Sequence, residues 1–159
     1  MAKYKKKTLT LILSMLVCAI SFIIINLLNF DIPANGNRSG NGNLAFAGYP
    51  FAIVSAILII VYGTKLNLCL LKSLNKLWGI LFLIATVLIQ VMLYIGFVNH
   101  FNDKIEYLGG GPENPNSFIV DMEWVNTYTN DMYFNVYSFC TVLVLPLIIS
   151  SLIRLLKKT

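Results

Sequence analysis

LWGILFLIATVLIQVMLYIGFV, residues 77–98, contains no charged side chain and one strongly polar one, Gln90. As an α-helix, a stretch of this length rises about 30 Å, the thickness of a bilayer's hydrocarbon core. In lipid a helix satisfies its own backbone hydrogen bonds, which an open strand cannot do. Lys72 and Lys76 precede the stretch; His100, Asp103 and Lys104 follow it. It reads as a transmembrane helix. Trp78, one turn inside its start, sits where an amphipathic ring favours the headgroup layer.

Working outward, three further apolar runs cover residues 8–30, 44–64 and 134–153. The first follows the basic segment MAKYKKK. It is too long for the apolar region of a signal peptide and lacks a cleavage site at the right distance, so a retained helix is expected. The second contains Pro50, which a helix tolerates in its first turn. That helix is therefore free to begin at Pro50 and continue past Lys65 towards Leu71. Pro146 in the last run is expected to kink it.

Two polar segments, 31–43 and 99–133, and a basic connection, 65–76, join these runs. In the first, Asn-Gly and Ser-Gly pairs are turn chemistry. The second contains Gly109-Gly110-Gly111-Pro112, which no helix survives. Beyond it, the aromatic and β-branched content of residues 118–134 suits a short strand or a segment lying on the interface, and residues 118–125 alternate weakly with period two. The expected fold is an all-α integral membrane protein: one domain, residues 1–159, with four transmembrane helices in one bundle. Its second extracytoplasmic loop is the larger and is partly ordered.

Charge agrees with this class. Charged residues make up 12% of the chain and hydrophobic ones 57%, where soluble domains carry about 25% charge. Ten lysines and arginines fall at the two termini and in segment 65–76; Arg38 and Lys104 fall in the other two segments with all seven acids. Lysine and arginine mark the cytoplasmic side. Both termini are therefore expected in the cytoplasm, in a multi-pass protein of the cell membrane. The net charge of +5 does not imply nucleic acid, because the basic residues flank apolar runs rather than cluster on one solvated face. Ten lysines against two arginines, with abundant asparagine, match an AT-rich bacterial genome.

Candidate chemistry is sparse. Cys18, Cys69 and Cys140 lack the spacing of a redox or zinc motif, and no HExxH, CxxC, Ser-His-Asp order or phosphate loop occurs. His100, Asp103 and Glu106 are spaced three and three, a geometry for a divalent metal or a proton relay if the helix continues outward. Asp121, Glu123 and Asp131 are further carboxylates for such a site. The plainer reading has His100 and Lys104 complementing a helix C-terminus and the carboxylates solvated. It is preferred, with neither metal nor cofactor. Gln90 and Asn26, polar inside apolar runs, read as cross-helix hydrogen bonders or as the lining of a conduction path. Phe118, Trp124, Tyr128 and Tyr133 are the aromatic anchors of the outer segment and its candidate interaction residues.

The functional expectation is a non-enzymatic interaction, accessory, assembly or immunity-type protein of a bacterial envelope. Its partner would be another membrane or envelope protein, or a second copy of itself, besides the bilayer. A subunit of an oligomeric transporter or channel is the alternative, and a membrane enzyme using His100 the third.

Overall fold

The computed structural model describes residues 2–32, 42–119 and 124–157. They form α1 (Ala2–Leu27), a 3₁₀ turn (Leu44–Ala47), α2 (Tyr49–Leu71), α3 (Lys76–Tyr107), the short α4 (Asn130–Tyr133) and α5 (Val136–Leu156). Four helical stretches, ending in α5, are long and apolar enough to cross a membrane. No strand occurs among the described residues.

The helix ends differ from the hydropathy boundaries for local reasons. α1 begins inside the lysine run, because lysine is a good helix former and nothing there breaks a helix. The run 44–64 is divided: the 3₁₀ turn is capped by the Asn43 side chain, and α2 carries Pro50 in its first turn, where no N–H is needed. α3 starts on the Asn75 side chain, which accepts from the Trp78 N–H at 2.9 Å. It continues through Asn99–His100–Phe101, past the expected end, to Tyr107. There the Gly110 N–H reaches back to the Ile105 carbonyl at 2.9 Å and the Gly109 N–H to that of Glu106 at 3.0 Å. This paired closure needs a left-handed residue, and Gly109 supplies it at φ 86°. α5 opens on a reciprocal cap between Asn135 and Ser138.

The strand reading of residues 118–134 is corrected. Its described part is turns followed by α4. Among the described residues there is no strand to pair with, and the backbone bonds to side chains instead. Asn126 Oδ1 accepts from the Tyr128 N–H at 2.8 Å, and Thr129 Oγ1 accepts from the Asn126 N–H at 2.8 Å. Val120, Asp121, Met122 and Glu123 lie outside the described residues, as does Arg38.

The long helices pack in the order α1–α2–α5–α3. A closed ring of four helices would add a comparable contact between α3 and α1; among the described residues there is none. α5 is the shared partner in the middle, and glycines let it approach. A Cβ at Gly63 of α2 would lie 3.0 Å from Pro146 Cβ, and Cβ atoms at Gly79 and Gly96 of α3 would strike Arg154 and the Tyr137 ring. The less exposed positions of α3 include Gly79, Leu83, Thr86, Gln90, Leu93, Phe97, His100 and Lys104. Alternate steps of four and three are the seam of a left-handed helix pair.

Polarity is inverted relative to a soluble bundle. Ser14, Ser21, Ser55, Thr86, Ser150 and Ser151 are buried, whereas Leu77, Ile84, Leu88, Met92 and Ile95 are exposed along α3. The buried hydroxyls cost little because each bonds within its own helix, as Ser21 does to the Val17 carbonyl at 2.8 Å. An apolar cluster of Cys18, Phe22, Ile25, Ala45, Ala52 and Ile59 joins α1 to α2. Phe134 and Phe139 meet the Phe22 ring edge-on at 5.2 and 5.6 Å.

Candidate functional site

The acidic end of the molecule, where α1 and α3 finish and α2 and α5 begin, carries an ordered cap. Its core is Leu108, Ile119, Tyr128 and Met132, with Ile32, Phe101, Ile105, Phe118 and Tyr133 packed around it. The C-terminal turns of α3 form one wall, so the helix extension that hydropathy missed is what the cap is built on.

Three polar fixings hold the cap to the long helices. The first is Asn130, fully buried at the start of α4. Its Oδ1 accepts from Tyr49 Oη and from Asn43 Nδ2, both at 2.7 Å, and its Nδ2 donates to Asn43 Oδ1 at 3.2 Å. One side chain thus ties the entry to α2 to α4, satisfying polar groups that burial would otherwise penalise. The second is backbone pairing: the Phe30 N–H donates to the Thr127 carbonyl at 2.7 Å. The third is an ion pair between Lys104 Nζ and Asp131 Oδ2 at 2.9 Å. The Lys104 ammonium also lies 5.0 Å from the centroid of the Tyr107 ring. Asp131 Oδ1 is buried with no hydrogen-bond partner.

The residues anticipated from sequence are distributed as follows. His100 Nε2 lies 3.1 Å from the Asp131 backbone carbonyl, while Asp103 and Glu106 are exposed. Among the described residues no three His, Cys, Asp or Glu side chains gather as a metal site would require. The expectation that the outer carboxylates are solvated fails at Asp131, because Lys104 projects from the extended α3 directly beneath it. Gln90 Nε2 donates to Thr141 Oγ1 at 3.1 Å, joining α3 to α5, while its Oε1 is buried without a partner. Asn26 Nδ2 donates to the Phe22 carbonyl at 3.0 Å and to that of Phe134, tying α1 to the approach to α5.

Of the aromatic anchors, Tyr128 is 1% exposed and meets Phe118 edge-on at 5.7 Å. Tyr133 stands edge-on to Phe101 at 6.0 Å. Trp124 stacks on Phe101 at 6.2 Å yet remains 41% exposed, so one face is spent on the cap and the rest is presented outward. Sequence reasoning missed Asn130, Asn43 and Tyr49. Nothing in their composition separates a buried asparagine from a solvated one.

Below the cap, a lateral groove of about 430 Å³ opens between α1 and α5, lined by Ala19, Phe22, Ile23, Asn26, Val136 and Phe139. It contains no acid, base or nucleophile. No protein family, curated protein or solved structure matches the chain.

Proposed function

We propose that the chain is a multi-pass protein of a bacterial cell membrane, with both termini cytoplasmic, and that it works by binding rather than catalysis. In this reading it is an accessory, assembly or immunity-type protein whose outer cap engages a second membrane or envelope protein. Supporting insertion are the four apolar helices and the inverted polarity, with serines inside and leucines outside. The observation that carries the interaction reading is the cap: a fixed surface with its own apolar core, on which Trp124 remains 41% exposed. Aromatic side chains held in place this way are common anchors of binding energy. No enzyme is proposed around His100, whose Nε2 is occupied by the Asp131 backbone carbonyl while Asp103 and Glu106 face solvent and the Asp131 carboxylate pairs with Lys104.

Capture of the tagged protein from its native membranes, followed by mass spectrometry, tests this. A partner retained by the wild type and lost with Trp124→Ala, at unchanged expression and insertion, supports the reading. Absence of any stoichiometric partner, itself included, refutes it.

A subunit of an oligomeric transporter is the second reading. It draws on the polar seam Thr86, Gln90 and Thr141 within the apolar span, with its unpartnered Gln90 oxygen. Solute flux in liposomes, abolished by Gln90→Leu, would favour it.

A further inference from the structure

The end of the molecule opposite the cap carries a charge that no described carboxylate neutralises. Two contacts assemble it. Tyr4 and Cys69, 3.7 Å apart, bring the start of α1 to the end of α2. The Arg154 guanidinium donates to the Leu74 carbonyl and, at 3.4 Å, to that of Asn75, bringing the end of α5 to the α2–α3 turn. Lys5, Lys6, Lys65, Lys72, Lys76 and Lys157 are all exposed there. The described carboxylates, Asp31, Asp103, Glu106, Glu113 and Asp131, belong to the cap and the opposite end of α3. No described carboxylate is placed to compensate these lysines, which leaves them open to an anion from outside the chain.

Vertical order identifies it. Just inside Lys76 on α3 stands the exposed ring of Trp78, at 59%, and just inside Lys65 on α2 stands Tyr62, its ring centroid 5.5 Å from Lys65 Nζ. Just inside these stand exposed apolar side chains, Leu81 on α3 and Ile57 on α2, and on α1 the exposed Leu9 follows Lys5 and Lys6. Cation, then amphipathic ring, then hydrocarbon repeats the order of phosphate, glycerol region and acyl chain in one leaflet. A soluble polyanion would match the charge and leave the rings and leucines in water. We propose that this end is a selective contact surface for anionic phospholipid headgroups. The proposal rests on the membrane reading above and adds a lipid preference confined to one end.

The two tryptophans, Trp78 and Trp124, lie at opposite ends, which makes the test internal. The Trp124→Phe variant, with Trp78 as sole emitter, is reconstituted into vesicles of equal phosphatidylcholine and phosphatidylglycerol, with the acyl chains of one or the other brominated. Brominated phosphatidylglycerol is expected to quench Trp78 with an association constant about fivefold above that of phosphatidylcholine, the equivalent of one basic side chain at an anionic surface. The preference should shrink at about 1 M salt and with Lys72→Gln/Lys76→Gln. In the Trp78→Phe variant, Trp124 should show none. A ratio of one at Trp78, or an equal preference at both ends, overturns the proposal while leaving insertion intact. No quenching of Trp78 by either lipid removes the membrane reading and the proposal with it. Soluble polyglutamate that abolishes the preference at equimolar amounts would assign the surface to an acidic protein and also overturn it.

Discussion

The ion pair between Lys104 and Asp131 sets how firmly the cap is closed, and Lys104→Met measures it. Lys104 retains 10% side-chain exposure and Asp131 22%, so the pair is neither solvated nor deeply buried. Breaking a fully buried pair costs about 3–5 kcal/mol, and exposed pairs are worth about 0–1 kcal/mol. The substitution leaves the carboxylate with one oxygen already unpartnered and the other newly so. Methionine keeps the packing of the lysine stem, so the cost is electrostatic, about 2 kcal/mol on these bounds. That is roughly a 30-fold gain in cap opening. Opening is local, because the long helices keep their own packing.

Hydrogen exchange in detergent micelles, read over residues 124–135, should therefore accelerate by about that factor, with α1 and α2 unchanged. Trp124 fluorescence should shift to the red as its stacking on Phe101 loosens. Asp131→Asn removes the stranded charge, so the double variant should recover most of the loss. If the two single effects add to within about 0.5 kcal/mol, the pair does not hold the cap and the reasoning is wrong.

Asn130→Leu should be more damaging, by about 2–4 kcal/mol in thermal unfolding, since it strands the Asn43 amide and the Tyr49 hydroxyl together; Tyr49→Phe in the same background should restore part of the loss. Gly96→Leu should destabilise by about 1–3 kcal/mol through overpacking against Tyr137, and Tyr137→Ala should then relieve it, an outcome that a purely conformational role for the glycine would not produce. Gln90→Leu should change stability by no more than about 1 kcal/mol, because the amide gains one bond to Thr141 and leaves its oxygen unpaired. A reporter active only outside the cytoplasm, fused at Thr159, should be silent; strong activity would require an odd number of spans.

Hydropathy made the four long helices legible because a lipid-spanning helix needs length and apolarity and little else. It failed at their ends, where other forces decide. Residues 99–107 are too polar to register as part of a span, yet α3 continues through them because His100 and Lys104 lie on the same alternating seam as Gly79 and Gln90. The seam was present in the spacing, but it becomes visible only once α5 is known to be the partner. The glycines illustrate the same limit. Gly63 and Gly79 lie on different helices and form no repeat in either; they share only that α5 approaches both, at Pro146 and at Arg154.

The cap was obscured by a different ambiguity. Asparagine is the residue of solvated turns and equally of side chains that replace missing backbone partners. Asn43, Asn126 and Asn135 do the second here, Asn130 bonds the side chains of Asn43 and Tyr49, and no local pattern marks the difference. What separates the two cases is whether apolar neighbours remove the water. Leu108, Ile119, Tyr128 and Met132 come from segments that the glycine-rich turn folds back onto α3. Once they close, each asparagine must find a protein partner or leave. The buried amides are therefore a consequence of the aromatic and aliphatic side chains around them, and removing the apolar core should release them together rather than one at a time.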